Sequence, residues 1–257
     1  MDLRLALRSA LLPSGDWERV LMLLREAESL ATALEDSRRL EQVLLFLSLY
    51  FYLMGVYDQS ITAGQRALAL ATTSGDVVMH ALANDFLGRA YRAQGDYRRV
   101  IDCFGQTVAA LDGPRRHERY GQLVLPAVYS RARLAECHAE LGAFAEGVAI
   151  GEEGLWIVGE VAHPRSFMYA SAAVGLVSLR QGNLSKALPL LEQAVSLCQE
   201  ADLPVFFPGV AAVLGAAYIL GGRVPDAVLL LTQALEQAMA TKTIAFQALC
   251  TLTLGEA

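Results

Sequence analysis

Catalysis and metal binding need particular side chains at fixed spacing, and this chain offers them only singly. Its four histidines (His80, His117, His138, His163) are scattered, with no cysteine or carboxylate at ligand spacing. Four cysteines (Cys103, Cys137, Cys198, Cys250) lie far apart and form no CxxC pair, so they read as small core residues in a reducing cytoplasm. No GxxxxGK(S/T) cradles phosphates, no GxGxxG follows a strand, and HExxH and GxSxG are absent. Carboxylate pairs such as Glu152–Glu153 point off a helix surface. The expectation is therefore a chain that binds rather than catalyses, with no cofactor and no metal.

Charge and hydropathy narrow what it binds. Apolar residues make up 54% of the 257 and charged residues 19%, enough for a continuous core. A formal net charge of -6 argues against a general nucleic-acid binder, which needs a basic footprint to displace counterions. The start, MDLRLALRSALLPSGDW, lacks the pattern of a secretory signal. The uncharged stretch Leu203–Gly222 has the length of a membrane span, but Pro204, Pro208, Gly209, Gly215, Gly221 and Gly222 interrupt it, and a buried helix is expected there instead. A cytoplasmic protein with no membrane insertion follows as the expectation.

The elements that hold these side chains come from a repeat. A glycine followed two residues later by a bulky residue recurs as GDW at Gly15, GVY at Gly55, GDY at Gly95, GAF at Gly142, GNL at Gly182 and GRV at Gly222, at intervals of 40, 40, 47, 40 and 40. After each glycine the apolar positions share one template. Leu184, Ala187, Leu188, Leu191, Ala194, Val195 and Cys198 recur forty residues on as Val224, Ala227, Val228, Leu231, Ala234, Leu235 and Ala238. Their offsets follow a period near 3.6, the stripe of an amphipathic helix. Before each glycine lies a second helix marked by a small residue: Leu87, Gly88 and Tyr91, then Leu214, Gly215 and Tyr218, with Val174 and Gly175 equivalent in another copy. The small residue permits close helix approach and the ring covers the contact; His138 takes the ring's slot in the fourth copy.

The series Leu-Gly-x-x-Tyr, then Gly-Asp-Tyr, then a small and a bulky residue resembles the tetratricopeptide repeat, over essentially the whole chain. The resemblance implies an all-α, right-handed superhelical solenoid of antiparallel helix pairs. The 40-residue period exceeds the family's usual 34, through longer helices or longer connections. Repeat boundaries are expected at 1–34 (partial), 35–74, 75–112, 113–161 with an insertion, 162–201, 202–241 and 242–257. More narrowly, MDLRLALRSALLPSGDWERVL and ALANDFLGRAYRAQGDYRRVI resemble the helical tail of bacterial signalling proteins in which a class III adenylate/guanylate cyclase domain and an AAA-type ATPase precede such repeats.

The resemblance also implies a binding groove lined by the first helix of each pair. Carried onto this chain, its candidate residues are Leu49 and Tyr52; Leu82, Asp85, Arg89 and Arg92; Tyr129, Glu136 and Glu140; and Tyr169 and Arg180. Such a surface suits a protein or peptide partner whose carboxylates the arginines grip, or the arginines pair with neighbouring glutamates instead. The leading expectation is a protein-interaction scaffold serving as a regulatory domain. The alternative is a sensor for a small molecule or signalling peptide.

Irregularities carry further expectations. Leu254 and Gly255 repeat Leu214 and Gly215, so a seventh unit begins and stops, which suggests a truncated chain. Ile244, Ala245, Ala248, Leu249 and Leu252 then form a stripe without a partner helix, and self-association through it is predicted. The seven extra residues around Gly113–Arg119 are basic, and either face water or dock an acidic partner. Pro126 marks a helix start or a kink. Gly147, Gly151 and Gly154 within one helix imply close packing or a flexible joint.

Overall fold

The computed structural model describes residues 16–201 and 203–257, and among them every regular element is helical. The helices are α1 (Trp17–Ala33), α2 (Ser37–Leu53), α3 (Tyr57–Ser74), α4 (Val77–Ala93), α5 (Tyr97–Ala110), α6 (Pro126–Glu140), α7 (Phe144–Gly159), α8 (Pro164–Arg180), α9 (Leu184–Glu200), α10 (Phe207–Leu220), α11 (Val224–Ala240) and α12 (Ile244–Gly255). The chain divides into two compact units, one ending at Ala110 and one beginning at Leu111. The first contains α1–α5 and the second α6–α12. The first turn glycine, Gly15, lies outside the described residues.

The remaining turn glycines stand at hairpin corners. Gly55, Gly95, Gly142, Gly182 and Gly222 have φ of 73, 75, 78, 76 and 74°, the left-handed region where a Cβ is penalised. In each, the next residue's N–H reaches back to a carbonyl near the end of the first helix: Val56 to Phe51 at 2.8 Å, Asp96 to Tyr91 at 3.0 Å, Arg223 to Tyr218 at 2.8 Å. This closes the helix as a Schellman motif. At two of these corners the next residue also caps the second helix with its side chain: Asp96 Oδ1 accepts from Arg99 N and Asn183 Oδ1 from Lys186 N. Turn residue and cap are thus adjacent at these two corners.

The connections between one pair and the next use a second left-handed position that the sequence disguises. Glu35 (φ 52°), Gly75 (69°), Ala162 (47°) and Lys242 (52°) occupy it. Only one of the four is glycine, so the recurrence escapes notice until the backbone is seen. Three residues separate α2 from α3, which run to 17 and 18 residues. The six residues beyond the usual period therefore lie in the helices rather than in the connections.

Packing follows the apolar template. Ala187, Leu191 and Ala194 of α9 and Ala227, Leu231, Ala234 and Ala238 of α11 are wholly buried. In α4, α8 and α10 the small residue of the first helix receives a large side chain of its partner. A Cβ on Gly88 would stand 2.9 Å from the Phe104 ring, and on Gly175 or Gly215 2.7 Å from Leu191 or Leu231. Within each unit the first helices of successive pairs also touch: α2 with α4, α6 with α8, α10 with α12.

The glycines of α7 have the same cause. A Cβ on Gly147 would meet the Ala135 carbonyl at 3.0 Å and one on Gly151 would meet Val174 at 2.8 Å, so α7 lies close against α6 and α8. Gly154 has room for a methyl group, its nearest neighbour being Arg131 Cβ at 3.7 Å. Pro126 is the first residue of α6, where its missing N–H costs nothing. Among the described residues no helix is long and apolar enough to cross a membrane. The uncharged stretch holds α10, which is 14 residues long.

Candidate functional site

The first helices present the groove positions, and the structure sorts them. In the first unit Leu49 and Tyr52 of α2 are half-buried, and so are Arg89 and Arg92 of α4. Leu82 and Asp85 are buried rather than open. Arg89 turns back on its own helix: Nε donates to Asp85 Oδ2 at 3.1 Å, Nη2 donates to the same oxygen, and the guanidinium lies 4.6 Å from the Phe86 ring centre. An i,i+4 pair on one helix satisfies this arginine without any partner molecule.

In the second unit the pairing runs between helices. Arg180 of α8 donates from Nε to Glu140 Oε1 of α6 at 3.0 Å, both side chains remaining partly open to solvent. Tyr129 and Glu136 of α6 are buried, whereas Tyr169 of α8 is half-buried. The Tyr129 and Tyr169 rings meet edge to face at 4.9 Å, and Tyr169 meets Phe206, just ahead of α10, at 5.8 Å. Rings so arranged attract through their quadrupoles beyond the area they bury. The result is an aromatic ladder with a rung from each of three consecutive helix pairs.

Beside the ladder lies Arg133. Its guanidinium is 5.0 Å from the ring centres of both Tyr129 and Tyr169, and Nη1 donates to Glu136 Oε2 at 2.7 Å. The side chain is 10% exposed, and buried Nε has no acceptor. Sequence reasoning did not include Arg133 or Phe206. Arg133 is three residues before Glu136, at the place that buried Phe86 and Ala173 take in the neighbouring copies, and Phe206 precedes its helix. The recurrence of Tyr129 as Tyr169 forty residues later was the only signal available.

Other chemistry-bearing groups are absorbed by packing. Burial pushes the thiols of Cys103 and Cys250 up to about 11 and that of Cys198 to about 12, far from the thiolate a nucleophile needs. Among the described residues no group of three or more His, Cys, Asp and Glu could hold a metal ion. In the basic insertion, a short 3-10 turn over Gly113–His117, Arg116 lies 4.4 Å from the Trp156 ring centre and 3.2 Å from Glu160, and His117 Nε2 is 2.8 Å from the same carboxylate. These two side chains thus tie the insertion to α7. A cavity of about 90 Å³ lies among Cys198, Leu203, Phe207, Gln233 and Gln237, the size of one side chain.

The tetratricopeptide repeat family matches residues 83–118. Among solved structures, the apo form of RapI is 14% identical, with 98% of this chain and 94% of that one covered and a TM-score of 0.69. A Rap protein complexed with competence and sporulation factor is 12% identical over 95% of this chain and 78% of that one, TM-score 0.64. A signal transduction ATPase with numerous domains from Pyrococcus horikoshii, which has a tetratricopeptide repeat sensor, is 15% identical; the match covers 98% of this chain and 38% of that one, TM-score 0.58. No curated protein sequence matches the chain. The fold is a tetratricopeptide-like array of helix pairs.

Proposed function

We propose that this chain is a protein-interaction module without enzymatic activity, which holds a peptide or helix against the first helices of its pairs. The observation that carries the reading is the ladder Tyr129–Tyr169–Phe206 with Arg133 beside it. Aromatic rings and arginine are the side chains that concentrate binding energy at protein interfaces. Here they gather on α6 and α8 and just ahead of α10. The net charge of -6 disfavours nucleic acid as the partner.

We place the module in the cytoplasm, as the regulatory part of a larger bacterial signalling protein. Supporting this is the similarity to an ATPase that carries a tetratricopeptide repeat sensor. The similarity to a Rap protein holding competence and sporulation factor favours a second reading, a sensor of signalling peptides. Both readings use the same surface. Self-association belongs to the proposal too, because Ile244, Leu249 and Leu252 of α12 are 54, 39 and 65% exposed. A single monomeric species in sedimentation equilibrium at high concentration would remove that part.

A photo-crosslinking amino acid placed at position 169, and separately at position 156, tests the binding surface. Trp156 lies on a second helix and is 53% exposed, so it controls for mere accessibility. Adducts that form from position 169 and not from 156 support the reading. Equal labelling from both, or from 156 alone, contradicts it.

A further inference from the structure

Two arginines of α6, two residues apart, are buried to very different effect. Arg131 is 1% exposed; its Nε, like that of Arg133, is sealed without an acceptor, but both Nη atoms are supplied: Nη1 donates to the Ala127 carbonyl at 3.2 Å, Nη2 donates to Glu153 at 2.9 Å, and Asp112 stands 3.5 Å away. It staples the start of the second unit together. Arg133 is nine-tenths buried, yet among the described residues its one hydrogen bond runs from Nη1 to Glu136. A guanidinium carries five N–H donors in a planar fork. Four are left, including the sealed Nε–H, which meets no acceptor.

Burying a cation and leaving most of its donors unused is unfavourable unless something else supplies the acceptors. The two tyrosine rings, each 5.0 Å away, hold the guanidinium in place. The fork is therefore already oriented, and an incoming carboxylate would lose little to ordering it.

We propose that Arg133 receives the side-chain carboxylate of a glutamate or aspartate in a bound peptide, whose neighbouring apolar residue lies against Tyr169 and Phe206. The inference rests on the peptide-binding reading and adds the chemistry that the surface selects. Depth decides between a side chain and a chain terminus. A carboxylate on a flexible stem can reach a site nine-tenths buried while its backbone stays outside, whereas a terminal carboxylate must bring the backbone in. Glu136 is the internal competitor, holding one edge of the fork in the absence of ligand.

The test uses the full chain and fluorescently labelled, N-acetylated hexapeptide libraries in three arms. One fixes a glutamate beside a phenylalanine and has an amidated C-terminus. The second replaces the glutamate with glutamine, and the third is the glutamine library with a free C-terminus. Anisotropy titration is expected to show the glutamate arm binding at least tenfold more tightly than both glutamine arms. Arg133→Gln should erase that difference while leaving the glutamine arms unchanged. Glu136→Gln, which removes the competitor and keeps Arg133, should tighten the glutamate arm further, so the inference stays testable even if Arg133→Gln unfolds. Equal binding of the first two arms, a preference that follows the free C-terminus, or a preference that survives in folded Arg133→Gln would overturn it. Failure of the wild-type chain to bind any arm would overturn the peptide-binding reading, and this inference with it.

Discussion

Gly215 and Leu231 meet where α10 crosses α11: a Cβ on the glycine would stand 2.7 Å from both Cγ and Cδ2 of the leucine. Leu231 is wholly buried, so it cannot swing away. Gly215→Ala should cost about 1–3 kcal/mol by overpacking. Gly105 is the contrast, a helical glycine with nothing within 4 Å of its would-be Cβ. Gly105→Ala should raise stability by about 0.5–1 kcal/mol, since alanine is the better helix former. Urea midpoints that shift in the same direction for both would refute the packing account.

Besides Tyr120 in the insertion, Glu35, Ala162 and Lys242 are the described residues with a side chain that take the left-handed region between helix pairs, at φ of 52, 47 and 52°. The Cβ penalty there is about 1–2 kcal/mol, offset in part by the greater freedom glycine has in the unfolded chain. Glu35→Gly and Lys242→Gly are each expected to raise the thermal midpoint by a few degrees, though glycine lowers stability almost everywhere else. A lowered midpoint would mean the side chains contribute contacts that outweigh the backbone strain.

His163 caps α8 as an acceptor. Its Nδ1 lies 3.3 Å from Ser166 N and 2.9 Å from Ser166 Oγ, and that hydroxyl accepts from Leu125 N at 2.8 Å. Burial, then the charges of Arg119 and Arg165, hold the ring's pKa below 6.5. The unfolded chain therefore binds the proton more tightly than the native one. The cap contributes fully above the unfolded value and is lost as pH falls through the native one. His163→Asn keeps an acceptor that does not titrate, so its stability should fall less than wild type between pH 7 and 5. Parallel curves for the two proteins would remove His163 as the source.

All four cysteines are buried. Native protein at pH 8 is expected to leave a thiol reagent such as 5,5'-dithiobis(2-nitrobenzoic acid) almost unconsumed while the urea-unfolded chain reacts fully. Rapid reaction of one native thiol would mark a local opening, and its position would locate it.

The helix pairs were legible because their signals are local. A turn glycine, the cap beside it and an apolar period near 3.6 all lie within one stretch of chain, and Gly95 with Asp96 displays them without any knowledge of neighbours. The small residues Gly88, Gly175 and Gly215 were legible for the same reason, since each is measured against its own hairpin partner. The left-handed position at Glu35, Ala162 and Lys242 was not, because the residue types there hide the conformation.

The proposed binding surface was only half legible. Transferring repeat positions included Tyr129 and Tyr169, but treated Leu82, Asp85, Tyr129 and Glu136 as open when they are buried. Arg133 and Phe206 were missed. By itself the sequence determined that helices pair in register every forty residues, because each pair needs only nearby residues to form. Which side chains remain open, and which arginine is sealed between two tyrosines, was decided by the tertiary structure alone. Those properties belong to distances between residues forty apart in the chain, and no local pattern encodes them.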